Sequence, residues 1–419
     1  MSALPQTTLE HPLHSARKSV RGCSERRVLS VIRWPVGGIR THVLYNYPDA
    51  ANEGYRFTFV GPADNTFETF ATSLEDLPST EFVGAPVNGS RCHLIQAVRH
   101  QLRTGRFSLL HSHGLTAAMQ TAIANIGLAI PHLATVHDPL RPEQFLGFRG
   151  RIKRWFMGRL LQGLDSIVCV GQDIRANLQH YLPALRHDRL VVIPNGIHTR
   201  HFAVSDPQSD DLRQRIGAGS DVTLIGFLGR FMEQKGFLPL LCALERLLRE
   251  GPPRPFHVVA VGSGDFEREY RAEIHRRGLS KHVTMLGFVM DVRPILQQLD
   301  LLAVPSLWEA SPLLPMEAMS AGIPVLGTDC IGLREVLRDS PSIMVRAGCV
   351  DALTRGLHDA LSNPRTELAR SYAKTARDRF DNRPSAKLLL HLFDELASAT
   401  PRRQARFLSS QDGSRGKRT

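Results

Sequence analysis

Apolar positions along this chain alternate between two spacings. Short runs at Arg27–Arg33, Tyr55–Val60, Glu81–Val87, Leu109–His113 and Pro131–Val136 predict strands, and helical stretches at Arg91–Thr104 and Leu115–Gly127 separate them. A strand at Ser166–Val170, a helix from Asp173 and a strand at Leu190–Ile193 continue the series. Pro194-Asn195-Gly196 then forms a turn, and a polar stretch to about Ser220 reads as a linker. The same pattern restarts with strand Val222–Leu228 and helix Phe237–Arg249, followed by strands Phe256–Val261, His282–Leu286 and Leu299–Val304. A helix is predicted from Met316 to Ala321, where Gly322 stops it, and helices are expected to continue to about Ala397. Strand–helix alternation of this kind predicts α/β architecture with doubly wound parallel sheets.

One segment departs from simple core packing. Phe148, Ile152, Trp155, Phe156 and Leu160 fall on one helical stripe, with Arg149, Arg151, Lys153, Arg154 and Arg159 around it. Two readings stay open: a helix packed on the sheet with its charges in water, or one lying against anionic lipid headgroups.

Composition narrows the class. A chain of 419 residues with 42% hydrophobic and 22% charged residues has the makeup of a globular protein of two or three domains. No apolar run reaches the ~18 residues of a membrane span, and the first 25 residues lack a secretory h-region, so a cytoplasmic location, extending to the inner membrane face, is expected. The six cysteines show no C-x-x-C pairing, which argues against structural zinc and a disulfide framework. The net charge of +12 is uneven. Residues 1–200 hold 22 basic against 14 acidic side chains, residues 201–400 hold 24 against 25, and residues 401–419 hold 6 against 1. The excess in the first half and the tail suggests an anionic surface or acceptor there.

The candidate chemistry lies on loops that leave strands. Gly37-Gly38 follows the first strand and opens a helix, where bare backbone can approach a phosphate. Strands ending in HSHG (111–114) and TVHD (135–138) point His113 and His137 toward a common crevice. Arg230 and Lys235, in GRFMEQKG at 229–236, can together offset the charge of a diphosphate. Glu309 lies just past a strand and Glu317 lies in the following helix, eight positions on. Two carboxylates there suit a polyol or a developing cation.

Glu309-x7-Glu317 runs on as Ala-Met-x-x-Gly-x-Pro-Val, with Pro305, Ser306, Gly322, Pro324 and Val325 in place. The stretch resembles the signature of retaining, nucleotide-sugar-dependent glycosyltransferases of family 4, whose fold is GT-B. Gly-Arg-x4-Lys-Gly at 229–236, T-x-H-D at His137 and the Gly37-Gly38 loop are similar to further motifs of that group. The resemblance implies two Rossmann-like domains facing an interdomain cleft. The expected divisions are a disordered basic extension (1–25), an acceptor-side domain (26–200), a nucleotide-sugar-binding domain (201–380), a terminal helix returning to the first domain (381–399) and a disordered basic tail (400–419).

The site residues implied are Arg230, Lys235, Glu309 and His137 for catalysis. Gly37, Gly38, Gly229, Gly262, Glu317, Ser311 and Leu313 are implied for donor binding, with Glu317 on the ribose hydroxyls. Pro312 has no N–H to offer. His113 and Asn195 are expected at the acceptor side or in the cleft. No metal and no cofactor are expected, since no Asp-x-Asp occurs and the nucleotide-sugar is a substrate. The expected partners are that donor, a sugar or lipid-linked acceptor and the surface of an anionic membrane, with no nucleic acid. The expected function is sugar transfer to an acceptor hydroxyl with retained configuration, in cell-surface polysaccharide or glycolipid synthesis. The chain departs from the family pattern at His198, where an Asp is usual. Two alternatives stay open: a nucleotide-sugar epimerase of the same fold, which needs no acceptor, and a basic module binding nucleic acid or a lipid surface. Against the latter, the basic residues are not interleaved with an aromatic platform on one compact domain, and the second half is nearly neutral.

Overall fold

The structure is a computed structural model and describes residues 26–87, 92–105, 107–203 and 212–398. The extension expected at 1–25 and the tail expected at 400–419 lie outside the described residues. Seven strands form the first sheet: β1 (Arg27–Ile32), β2 (Arg56–Pro62), β3 (Thr80–Ala85), β4 (Leu109–His113), β5 (His132–Val136), β6 (Ser166–Cys169) and β7 (Leu190–Val192). Their order is β3-β2-β1-β4-β5-β6-β7, and every pairing is parallel. The second sheet holds β8 (Thr223–Leu228), β9 (Phe256–Val261), β10 (Val283–Leu286), β11 (Leu301–Val304), β12 (Val325–Thr328) and β13 (Ile343–Val345). Its order is β10-β9-β8-β11-β12-β13, again all parallel.

Each strand order reverses once, at β1/β4 in the first sheet and at β8/β11 in the second. Loops leaving adjacent strands on either side of such a reversal run to opposite faces and leave a crevice between them. Gly37, Arg230, Lys235, Glu309 and Ser311 stand on those loops, whereas His137 follows β5, Asn195 follows β7 and Gly262 follows β9. Nearly every strand residue of β1, β4, β5, β8 and β11 is buried, as expected for strands covered on both faces. Apolar side chains such as Phe57, Phe59 and Tyr47 fill the first core, and Phe227, Phe237 and Leu244 the second.

Some expectations need correcting. Helices do not run unbroken after the Glu309 motif, because β12 and β13 complete the second sheet there. β12 is four residues long and buried throughout, and β13 has only three residues, so neither shows an alternation long enough to mark it. The helix expected from Met316 begins earlier and spans Leu313–Ser320. The apolar stripe on the helix Gly147–Leu161 is not packed on the sheet: Phe148 is 70% and Trp155 67% exposed, whereas Gly150, Met157, Gly158 and Leu161 form the buried face.

A final helix over 383–398 sends Leu389, Leu392 and Phe393 into the first core, and Tyr55 donates a 2.8 Å hydrogen bond to Asp394. Leu388, expected on that apolar face, is instead half exposed. The chain leaves the first domain beside its point of return. Ile197 donates to the Phe380 carbonyl at 2.8 Å, and Asn382 donates to the Ile197 carbonyl at 3.1 Å. Among the described residues no helix is long and apolar enough to cross a membrane.

Candidate active site

The loop after β8 folds back onto the exit of β11. Gly236 has φ +69°, and a Cβ there would lie 1.9 Å from the Pro305 carbonyl oxygen, so only glycine permits this approach. Leu307 donates to the Gln234 carbonyl at 2.8 Å, and Gln234 Nε2 donates to the Trp308 carbonyl at 2.9 Å, which pins the two loops together. Lys235 is thereby brought to Glu309, with Nζ donating to Oε1 at 2.7 Å. The Ser306 hydroxyl donates to the same oxygen at 2.7 Å. Glu309 is 5% exposed, so this carboxylate is held by a cation and a hydroxyl rather than by water.

Arg230 stands on the same loop, exposed, four residues before Gln234. Gly229 and Gly262 meet across the exits of β8 and β9, where a Cβ on Gly262 would lie 1.9 Å from the Gly229 carbonyl oxygen. The need for glycine at 262 is therefore met within the chain itself. Gly37 and Gly38 open the helix Gly38–Asn52, and a Cβ on either would meet nothing within 4 Å.

The first domain answers with histidines. His113 ends β4, paired in register with Ile32 of β1 and Thr135 of β5, and shares a 3.2 Å hydrogen bond with His137. Its other ring nitrogen lies 2.9 Å from the Tyr47 hydroxyl, which also reaches His111 at 2.7 Å and Ser30 at 3.1 Å. Burial holds His113, His137 and His111 well below the ordinary imidazole range and pushes His42 down to about 4, so the rings are neutral near pH 7. A neutral imidazole both donates and accepts, which suits sugar hydroxyls.

The side-chain nitrogens of His42, His113 and His137 lie within 4.8 Å of one another. These three residues could hold a divalent ion, a feature that sequence reading missed. His42 sits one turn into the helix that follows the glycine loop, and that spacing was the available signal.

The two sides meet at Asp138 and Asn195. The Asp138 carboxyl is pushed up to about 6, first by lost hydration and then by Glu309, with Lys235 and Arg141 opposing. Arg141 stacks its guanidinium 4.0 Å from the Trp308 ring centre. Asn195 bridges the domains. Its Nδ2 donates to the Ser311 carbonyl at 3.2 Å, and its Oδ1 lies 3.3 Å from His42 Nδ1.

Glu317 is not beside Lys235 in the hydrogen-bond network. Burial pushes its carboxyl up to about 7, and nearby Asp291 adds to the shift. Tyr45, from the first domain, senses the Glu317 charge and stacks on His198 with ring centres 4.2 Å apart. Leu313 begins the helix that carries Glu317 and packs on the second core. The structure thus joins Lys235 with Glu309, and His113 with His137. It bridges Asn195 to Ser311 and places Glu317 with Tyr45. Asp138, His42 and Tyr45 are the cleft residues that sequence reasoning did not single out.

A separate cavity of about 320 Å³ is lined by Arg213, Thr223, Leu301, Val325 and Ile343. These last four stand at the starts of β8, β11, β12 and β13, so the cavity lies at the end of the second sheet opposite the cleft.

Residues 208–379 match the family of glycosyl transferases group 1, and residues 36–201 match glycosyltransferase family 4. An alpha-maltose-1-phosphate synthase of Mycolicibacterium smegmatis is 25% identical over 293 residues, covering 65% of this chain and 74% of that protein. Among solved structures, Anabaena HepE in complex with UDP and glucose superposes with a TM-score of 0.75 at 21% identity, covering 88% of this chain and 100% of that one. WaaG, a glycosyltransferase involved in lipopolysaccharide biosynthesis, gives 0.68 at 18% identity, covering 88% and 99%. These structural likenesses show that the fold is GT-B.

Proposed function

This chain belongs to the group 1/family 4 glycosyltransferases, and on that premise we propose that it moves a sugar from a nucleoside-diphosphate sugar to an acceptor hydroxyl with retention of configuration. The observation that carries this reading is the 2.7 Å pair of Lys235 and Glu309 at the reversal point of the second sheet, with Asp138 and the neutral histidines across the cleft. Lys235 and the exposed Arg230 supply positive charge where a diphosphate leaving group would gain negative charge. Gly38 leaves open space beside the start of its helix, where unpaired N–H groups can meet an anion.

In this reading Glu309 orients the donor sugar, Glu317 accepts hydrogen bonds from the ribose, and His137 holds a sugar hydroxyl. The acceptor oxygen attacks C1 on the face from which the diphosphate departs. Its proton passes to a phosphate oxygen as the old C1–O bond breaks and the new one forms. No metal takes part in this scheme. The likeness to WaaG, a glycosyltransferase involved in lipopolysaccharide biosynthesis, favours a cell-surface glycan or glycolipid as product.

A thermal-shift screen against UDP-, GDP- and ADP-sugars identifies the donor, because a ligand that binds only the folded state raises its stability. With that donor, Arg230→Ala is expected to lower transfer about a hundredfold, corresponding to about 3 kcal/mol of transition-state stabilisation, with an unchanged melting temperature. Product anomers assigned by NMR report the stereochemistry. An Arg230→Ala enzyme with full activity removes the phosphate clamp, and an inverted product removes the front-face route.

A further inference from the structure

We propose that the outer face of the helix Gly147–Leu161 docks on the surface of an anionic lipid bilayer. Leu146 is 70% exposed, Phe148 70%, Ile152 51%, Trp155 67% and Phe156 47%. With 3.6 residues per turn, Phe148, Ile152, Trp155 and Phe156 line one stripe, and the buried Gly150, Met157, Gly158 and Leu161 lie on the opposite side. The stripe cannot roll inward, because a Cβ on Gly150 would lie 2.2 Å from the Phe145 backbone, so the inner face is already closed.

Large apolar side chains left in water at such density mark a surface that something covers. Charge identifies the cover. Arg149, Arg151, Lys153, Arg154 and Arg159 give the helix five positive charges and no negative one. All five residues are exposed, and among the described residues none of them forms an ion pair. Rings and aliphatic chains flanked by long basic side chains suit the boundary between acyl chains and anionic headgroups, where the stems of Arg and Lys lie along apolar surface and their heads reach phosphate. A protein partner would need a complementary acidic groove, whereas a bilayer rich in anionic lipid offers both chemistries everywhere.

This goes beyond the transferase reading and does not depend on it. The test uses the full chain with vesicles of phosphatidylcholine alone and of phosphatidylcholine containing one-quarter phosphatidylglycerol. The expected result is co-sedimentation with the anionic vesicles only, weakening as salt is raised, with a blue shift of Trp155 emission that is absent from Trp155→Phe. Phe148→Ser/Trp155→Ser/Phe156→Ser should lose at least tenfold in vesicle affinity. Each charge removal, such as Arg151→Gln, should cost about fivefold. Both sets of variants should keep the wild-type melting temperature and the thermal shift with the cognate donor.

Equal binding to neutral vesicles overturns the proposal, as does unchanged affinity in the triple variant. So does concentration-dependent dimerisation that the triple variant abolishes, which would make the stripe a contact between copies of the chain. Arg230→Ala that binds vesicles normally but transfers sugar about a hundredfold more slowly separates this surface from the catalytic reading.

Discussion

Glu309 is held by one cationic neighbour. Its side chain is 7% exposed, and Lys235, at 27%, is its only cationic partner among the described residues. Removing the ammonium leaves a buried negative charge with one hydroxyl to hold it, and breaking such a pair costs more than replacing both members. Lys235→Met is therefore expected to destabilise the second domain by about 2 kcal/mol, and Lys235→Met/Glu309→Gln should recover part of that loss. Denaturant unfolding of the four members of the cycle measures the coupling, and additive single-variant effects would dissolve the pair. Lys235 and Glu309 were legible because each sits in a motif tied to one loop. Asp138 and Tyr45 were not, because their roles arise only when two domains face each other. Hydrophobic periodicity reports the inner face of each sheet and is silent on how the domains meet.

At the scale of elements, eleven strands were read and two, β12 and β13, were missed. β12 and β13 have four and three residues, too few for a repeating pattern. The first-domain helix Gln172–Tyr181 illustrates another limit. It begins at Gly171, which offers no side-chain cap, and its first amides are satisfied from the second domain. Glu335 accepts from Gln172 and Asp173 N–H at 2.9 Å each. Asp173 returns the contact, accepting from Gly332 N–H and from Arg334, each at 2.9 Å. A cap supplied by another domain cannot be found by scanning the flanking residues. Glu335→Ala should cost about 1 kcal/mol of helix capping and speed hydrogen exchange at Gln172 and Asp173. Unchanged protection there would mean that the domains part without this contact.

The whole molecule carries an imbalance in proton binding. His42, His111, His113, His132 and His137 are all depressed by burial, with His42 near 4 and His132 near 3, so the unfolded chain binds protons at these sites before the folded one does. Their contribution to stability is lost as pH falls below about 6.5. Glu317, raised to about 7, and Asp138, raised to about 6, act in the opposite sense, stabilising the folded state as pH falls. His198 and His257 are lowered by burial as well, so the depressed histidines outnumber the two raised carboxyls, and each uncompensated proton is worth about 1.4 kcal/mol per pH unit. The melting temperature should thus drop steeply between pH 6.5 and 5, and a flat profile there would mean that the histidines are charged or solvated in the folded state.

The return of the chain at Asn382 has a consequence for synthesis. Phe393 and its neighbours on the last helix fill the space beside Tyr47 and Tyr55, so the opening lobe is a split unit with the whole second lobe inserted between its parts. A ribosome delivers that plug only after the second lobe. Until that helix emerges, the first lobe stays unfinished with an aromatic groove open to solvent, while the second lobe already has every strand of its own. Order of translation and order of completion are therefore inverted, and a nascent chain stalled near residue 380 would be half native and half in need of protection.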